Sequence, residues 1–85
     1  MAASKYEIEL LQMLEMHEIL HLRGYAFSLG PNGGVIADRW GHMRGLWSHV
    51  DGAFGWTPAS HTEPVHWSED AAAAVRYTLV NLSIQ

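Results

Sequence analysis

The sequence predicts an α+β fold: a four-stranded antiparallel β-meander with an N-terminal and a C-terminal helix packed on one face, in the order α-β-β-β-β-α. Three observations predict it. Asp51-Gly52 stands between two apolar runs, and Asp-Gly supplies the positive φ that both central positions of a type I′ hairpin turn require. Upstream, Gly30-Pro31-Asn32-Gly33 and the glycine-first pair Gly41-His42 are turn chemistry separating strand-like segments. Finally, the turns are assigned separately, yet they sort the side chains onto the same two faces.

The first helix begins at Ser4, which with Glu7 forms a capping box. It is expected to run to about Leu22 and stop at Gly24, with Arg23 in the last turn where a cation suits the helix dipole. Tyr6, Leu10, Met13, His17 and Leu20 form one stripe, and Ile8, Leu11, Ile19 and Leu22 a second. One side of a four-stranded sheet covers only one stripe, so the second is expected to meet a partner chain, the simplest being a homodimer.

The first strand is Tyr25–Leu29. A four-residue loop pairs Leu29 with Gly34, and the second strand runs from Gly34 to Trp40. A type II′ turn at Gly41-His42 then sets Trp40 opposite Met43, Arg39 opposite Arg44 and Ile36 opposite Trp47. The Asp51-Gly52 turn sets His49 opposite Phe54 and Trp47 opposite Trp56. The covered face then collects Tyr25, Phe27, Leu29, Ile36, Trp40, Met43, Trp47, Phe54 and Trp56. The open face collects Ala26, Ser28, Val35, Ala37, Arg39, Arg44, Leu46, Ser48 and Thr57. Asp38 falls beside Tyr25 and reads as a structural hydrogen bond. Pro58 to Glu63 is a loop, and Val65-His66-Trp67 a short extended piece. Ser68 is the expected cap of the second helix, whose inner face is Ala71, Val75, Thr78, Leu79 and Leu82.

Eighty-five residues are expected to form one domain. A chain this short buries only about 60–65% of its unfolded surface, so its stability margin is narrow. With no cysteine, neither a disulfide framework nor a thiolate metal site is available. A net charge of −4 argues against nucleic-acid binding, which calls for a basic patch. No apolar run approaches the ~20 residues of a membrane span. The N-terminus lacks the features of a secretory signal, so a cytoplasmic location is the expectation.

His17-Glu18-Ile19-Leu20-His21 matches H-E-x-x-H and resembles the zinc metalloproteases over these five residues. That resemblance implies zinc on His17 and His21, with Glu18 as general base toward bound water. Gly24 continues the longer metzincin pattern, but Phe27 stands where its third histidine would be, and Glu15 and Arg23 add charge to the helix. His42, His49, His61 or His66 could complete a tetrahedral site. The competing reading is an exposed helix carrying these letters by coincidence. Arg39 and Arg44, opposed on the open face, suggest an anion or acidic partner, against two arginines splayed into solvent. Trp40, Trp47, Trp56 and Trp67 could stack on a base or sugar but read first as core. No phosphate-cradling glycine loop and no Ser-His-Asp grouping is legible.

The leading expectation is a non-catalytic protein-interaction module without cofactor, acting as a homodimer or on a protein partner, as an adaptor or an inhibitor of a larger assembly. The alternatives are a metal-binding protein or metal-dependent hydrolase on His17, Glu18 and His21, and an anion or small-ligand binder on the open sheet face.

Overall fold

The computed structural model describes residues 4–82. Two helices, α1 (Lys5–Glu15) and α2 (Glu18–Leu22), precede five strands: β1 (Tyr25–Leu29), β2 (Val35–Arg39), β3 (His42–Val50), β4 (Ala53–Pro58) and β5 (His66–Ser68). Helix α3 (Ala71–Tyr77) follows and runs into a π-helical turn, Thr78–Leu82. The strands form one antiparallel sheet in the order β1-β2-β3-β4-β5. The fold is therefore the expected α+β meander, lengthened by one strand. The extended piece after Pro64 pairs with β4, Trp56 opposite His66 and Phe54 opposite Ser68. Among the described residues no helix is long and apolar enough to cross a membrane.

Both helical segments lie on the same face. Tyr6 of α1 stacks on His49, and Tyr77 of α3 meets the edge of Trp47; His49 and Trp47 are two apart on β3 and so share a side. The core beneath them is Leu10, Leu14 and Leu20 from the first two helices, Ala71, Ala74 and Val75 from α3, and Tyr25, Phe27, Val35, Ala37, Trp47, Phe54 and Trp56 from the sheet.

The expected single N-terminal helix is two. The capping box is present: Glu7 N–H donates to Ser4 Oγ at 3.2 Å, and the Glu7 carboxylate accepts from Ser4 N–H at 3.1 Å. The helix nevertheless ends at Met16, and His17 is extended (φ −91°, ψ 99°) before α2 starts. Turning at His17 returns the chain over the sheet and buries Leu20. It also changes the inner face of α1, which is Glu7, Leu10 and Leu14 rather than a stripe through Tyr6 and His17. Gly24, at φ +87°, is the stop that the sequence indicated.

The Asp51-Gly52 hairpin has the expected register, with Trp47 opposite Trp56 and His49 opposite Phe54. Both turn residues have positive φ, as a type I′ turn requires. The other two turns differ from expectation. The β1–β2 loop takes five residues, closed by Gly30 N–H to the Gly34 carbonyl, so Leu29 faces Val35 and Tyr25 faces Arg39. The β2–β3 turn is Trp40-Gly41, both at positive φ, and a bulge at Arg44 restores the pairing of Ala37 with Gly45. The two slips offset each other from Gly45 onward, so the inversion is confined to β2 and to Met43 at the start of β3. Val35, Ala37 and Arg39 face the helices, while Ile36 and Asp38 face out. Asp38 lies opposite Ala26 and Met43, not Tyr25. Trp40 and Met43 are exposed rather than core. The Trp40 ring lies on Gly24, where an added Cβ would come within 2.3 Å of it.

The cap of α3 is Asp70, which accepts from Ala73 N–H at 2.8 Å, in place of Ser68. Ser68 is instead the buried last residue of β5. A carboxylate is the stronger acceptor for the helix N-terminus.

Trp47 is fully buried at the centre, 5.3 Å from the Trp56 ring, and its indole N–H donates to Thr78 Oγ1 at 3.2 Å. Trp47→Ala is expected to cost ~3–5 kcal/mol in urea denaturation, because a small core cannot collapse around the cavity. Trp40→Ala, at the exposed turn, should cost about 1 kcal/mol or less. Equal losses for the two would contradict this division of core and surface.

Candidate functional site

The four residues of the outer helical stripe do not share one environment. Leu11 is half-buried and packs against the core. Ile8, Ile19 and Leu22 are exposed, and Met16, at the break between α1 and α2, joins them. Exposed apolar side chains thus stand on both helices and at the break between them, with exposed Glu15 and Glu18 in the same stretch.

The H-E-x-x-H string does not lie on one helix. His17 is the extended N-cap residue of α2, Glu18 opens that helix, and His21 is in its last turn. His21 Nε2–H donates to the Glu15 carbonyl at 3.3 Å. Zinc coordination by this motif needs two imidazoles one turn apart on a continuous helix, and the break at His17 removes that basis. Among the described residues no three His, Cys, Asp or Glu side chains gather to hold a metal.

Arg39 and Arg44 do not face each other. Register places His42 opposite Arg39, and Arg44 is the extra residue of the bulge. Arg39 turns to the helix side, where its Nε donates to the Arg23 carbonyl at 2.9 Å and its guanidinium lies 5.3 Å from the Tyr25 ring centre. Arg44 is exposed and lines a small pocket of about 190 Å³ with Tyr25, Trp56 and Tyr77. Both arginines thus border Tyr25, Arg39 over its ring and Arg44 along the pocket it lines.

Sequence reasoning missed a third location, a groove of about 440 Å³ between β5 and α3, lined by His66, Trp67, Ser68, Arg76 and Tyr77 among others. His66 and Ser68 are two apart on a strand and share a side, and His66 Nε2 is 3.0 Å from Ser68 Oγ. The imidazole is stacked on Tyr77, with centroids 3.8 Å apart and planes 9° from parallel. The i, i+2 spacing was the available signal, but the segment's status as a strand was not. Chemically the pair is half of a nucleophilic grouping. The Ser68 hydroxyl belongs to a residue only 4% exposed, and no described carboxylate pairs with the other imidazole nitrogen. A nucleophile needs access and an oriented base, so the pair reads as packing of β5 against α3.

The one buried carboxylate is Glu7. Besides completing its capping box it accepts from Gly34 N–H at 3.0 Å and from His49 N–H at 2.8 Å. The β2–β3 ladder ends at Val35 opposite Trp47, so the carboxylate takes up N–H groups just beyond its last rung. Burial alone would raise its pKa. The N–H donors of His49, Gly34 and Ser4, with the charge of His49, outweigh that and hold the carboxyl below its ordinary value near 4.5.

No protein-family model matches this sequence, no curated protein is significantly similar to it, and no solved structure matches its fold. The fold and its surfaces define a small α+β domain with one helix-covered sheet face and an apolar flank on its N-terminal helices.

The lowered pKa of Glu7 makes stability depend on pH. A carboxylate with a folded pKa below its unfolded value contributes stability above the unfolded pKa and loses it as pH falls through the folded one. Urea midpoints of the wild-type protein should therefore fall as pH drops below ~4.5. Glu7→Gln should be less stable by ~2–4 kcal/mol at pH 7, since an amide cannot accept all three donors. The gap between the two proteins should narrow in acid; a constant gap from pH 7 to pH 3 would contradict the role given to this carboxylate.

Proposed function

We propose that this protein is a non-catalytic protein-interaction module, an adaptor or an inhibitor of a larger assembly, that docks through the outer flank of α1 and α2. The observation that carries the reading is the exposure of Met16 (82%), Leu22 (68%), Ile19 (42%) and Ile8 (40%) on and between two short helices. Exposed apolar side chains gathered in one segment mark interaction sites in soluble proteins. The internal chemistry favours the same reading: the histidines at 17 and 21 sit on either side of a helix start, Arg39 is bonded to the Arg23 carbonyl, and the His66–Ser68 pair is packed.

Ile19→Glu combined with Leu22→Glu changes the flank without touching the core. The double variant should keep the wild-type melting temperature within a few degrees, because exposed substitutions cost little. Used as bait against extract of the native host, wild-type protein should retain a defined partner chain, itself or another, that the double variant loses. Identical captures by the two proteins would sink the proposal.

A further inference from the structure

The two edges of the sheet are built differently. β5 is three residues long and follows Pro64, a combination that discourages further pairing. β1, Tyr25-Ala26-Phe27-Ser28-Leu29, has five residues in unbroken register with β2, and it carries no charge, proline or bulge. These are the devices by which edge strands are normally protected.

The outward groups of β1 follow from the ladder. Trp40 N–H donates to the Gly24 carbonyl, and Gly30 N–H donates to the Gly34 carbonyl. Hydrogen-bonded positions alternate along an antiparallel pair, so Ala26 and Ser28 are the residues bonded to β2. Tyr25, Phe27 and Leu29 therefore turn their N–H and C=O groups outward, two from each of three residues and six in all. Among the described residues no backbone bond outside the ladders takes these groups up.

The two helices that carry the exposed apolar residues pack against this same strand. α1 runs along the strands, from Glu7 at the Gly34–His49 end toward Gly24, where β1 begins. Tyr6 stacks on His49 of β3. Ile8 lies two residues further, ~200° around the helix, and so turns away from β3.

We propose that β1 receives a second copy of this chain. The two β1 strands pair antiparallel about a two-fold axis perpendicular to the sheet and make one continuous sheet across both copies. This inference rests on the reading of the helical flank as an interface and names its partner. Only one register satisfies every outward group: Phe27 opposite Phe27 and Tyr25 opposite Leu29. That axis keeps both helical layers on the same side of the joint sheet and sets flank against flank, so Ile8, Ile19 and Leu22 are covered by their own counterparts. A foreign strand could fill the hydrogen bonds but would leave those side chains in water. On the open face, Ala26 of each copy meets Ser28 of the other, two small side chains that leave room for close approach.

The register supplies the test. A26K/S28K sets two lysine pairs across the seam, whereas A26K/S28E sets two opposite-charge pairs at the same positions. Both side chains are exposed, so each variant should keep the wild-type circular dichroism spectrum and melting behaviour of the protomer. By sedimentation across a dilution series, wild-type protein should be a dimer. A26K/S28K should raise the dissociation constant about ten-fold or more, and A26K/S28E should restore it. Wild-type protein that stays monomeric would overturn the second copy, while leaving the helical flank open to a different partner. A dimer equally tight in A26K/S28K would overturn pairing through β1, and loss of that dimer in I19E/L22E would place the seam on the helices alone.

Discussion

The Glu7 carboxylate joins three segments that are distant in sequence. It closes the α1 capping box and takes the N–H groups of Gly34 and His49 just past the end of the β2–β3 ladder. An unbonded carboxylate in this place would be costly, and so would the backbone donors left by its removal. Together they fix the start of α1 on the sheet. That placement decides the rest of the helical layer: Leu10 and Leu14 point inward, and Tyr6 reaches His49. It also explains the five-residue β1–β2 loop. Gly34 lies outside the strand with its N–H given to Glu7, and Val35 becomes the first residue over the core.

Trp47 organises the other half. Its ring meets Trp56 and Tyr77, and its N–H begins a short relay in which Thr78 Oγ1–H donates in turn to the Ala74 carbonyl. The relay ties the central strand to the end of α3, where a buried indole N–H would otherwise lack a partner. Close approach depends on small residues. The Trp56 ring lies against Gly45, where an added Cβ would come within 2.6 Å of it. The four tryptophans therefore divide. Trp47 and Trp56 fill the core, while Trp40 and Trp67 are exposed rings laid over Gly24 and Gly55.

The groove beside α3 is occupied at its base by the His66–Tyr77 stack, and the string resembling a metalloprotease motif is interrupted by the turn that buries Leu20. The N-terminal side of the molecule instead presents an uncharged edge strand beside an apolar helical flank.

The sequence by itself determined the elements whose cause is local. The capping box at Ser4 and Glu7, the stop at Gly24 and the Asp51-Gly52 hairpin each depend on a few neighbouring residues, and each is where the sequence placed it. The α+β class and the aromatic face followed from these and from period-two patterning, and the exposed Ile8, Ile19 and Leu22 were legible as an excess of apolar residues on one helix. Tertiary structure decided what several local solutions would have allowed. Gly30 to Gly34 suits a loop of four residues or five, and the core's preference for Val35 and Ala37 over Ile36 and Asp38, with Glu7 waiting for Gly34, chose five. Nothing in the spelling of residues 5–22 ends a helix at Met16. Packing on the sheet does, through the turn at His17 that buries Leu20, and it leaves His17 and His21 off a single continuous helix. The pairing of His66 with Ser68 and the inward turn of Arg39 likewise arise from strand pairings between distant segments, whose registers are set by total burial rather than by any neighbour in the chain.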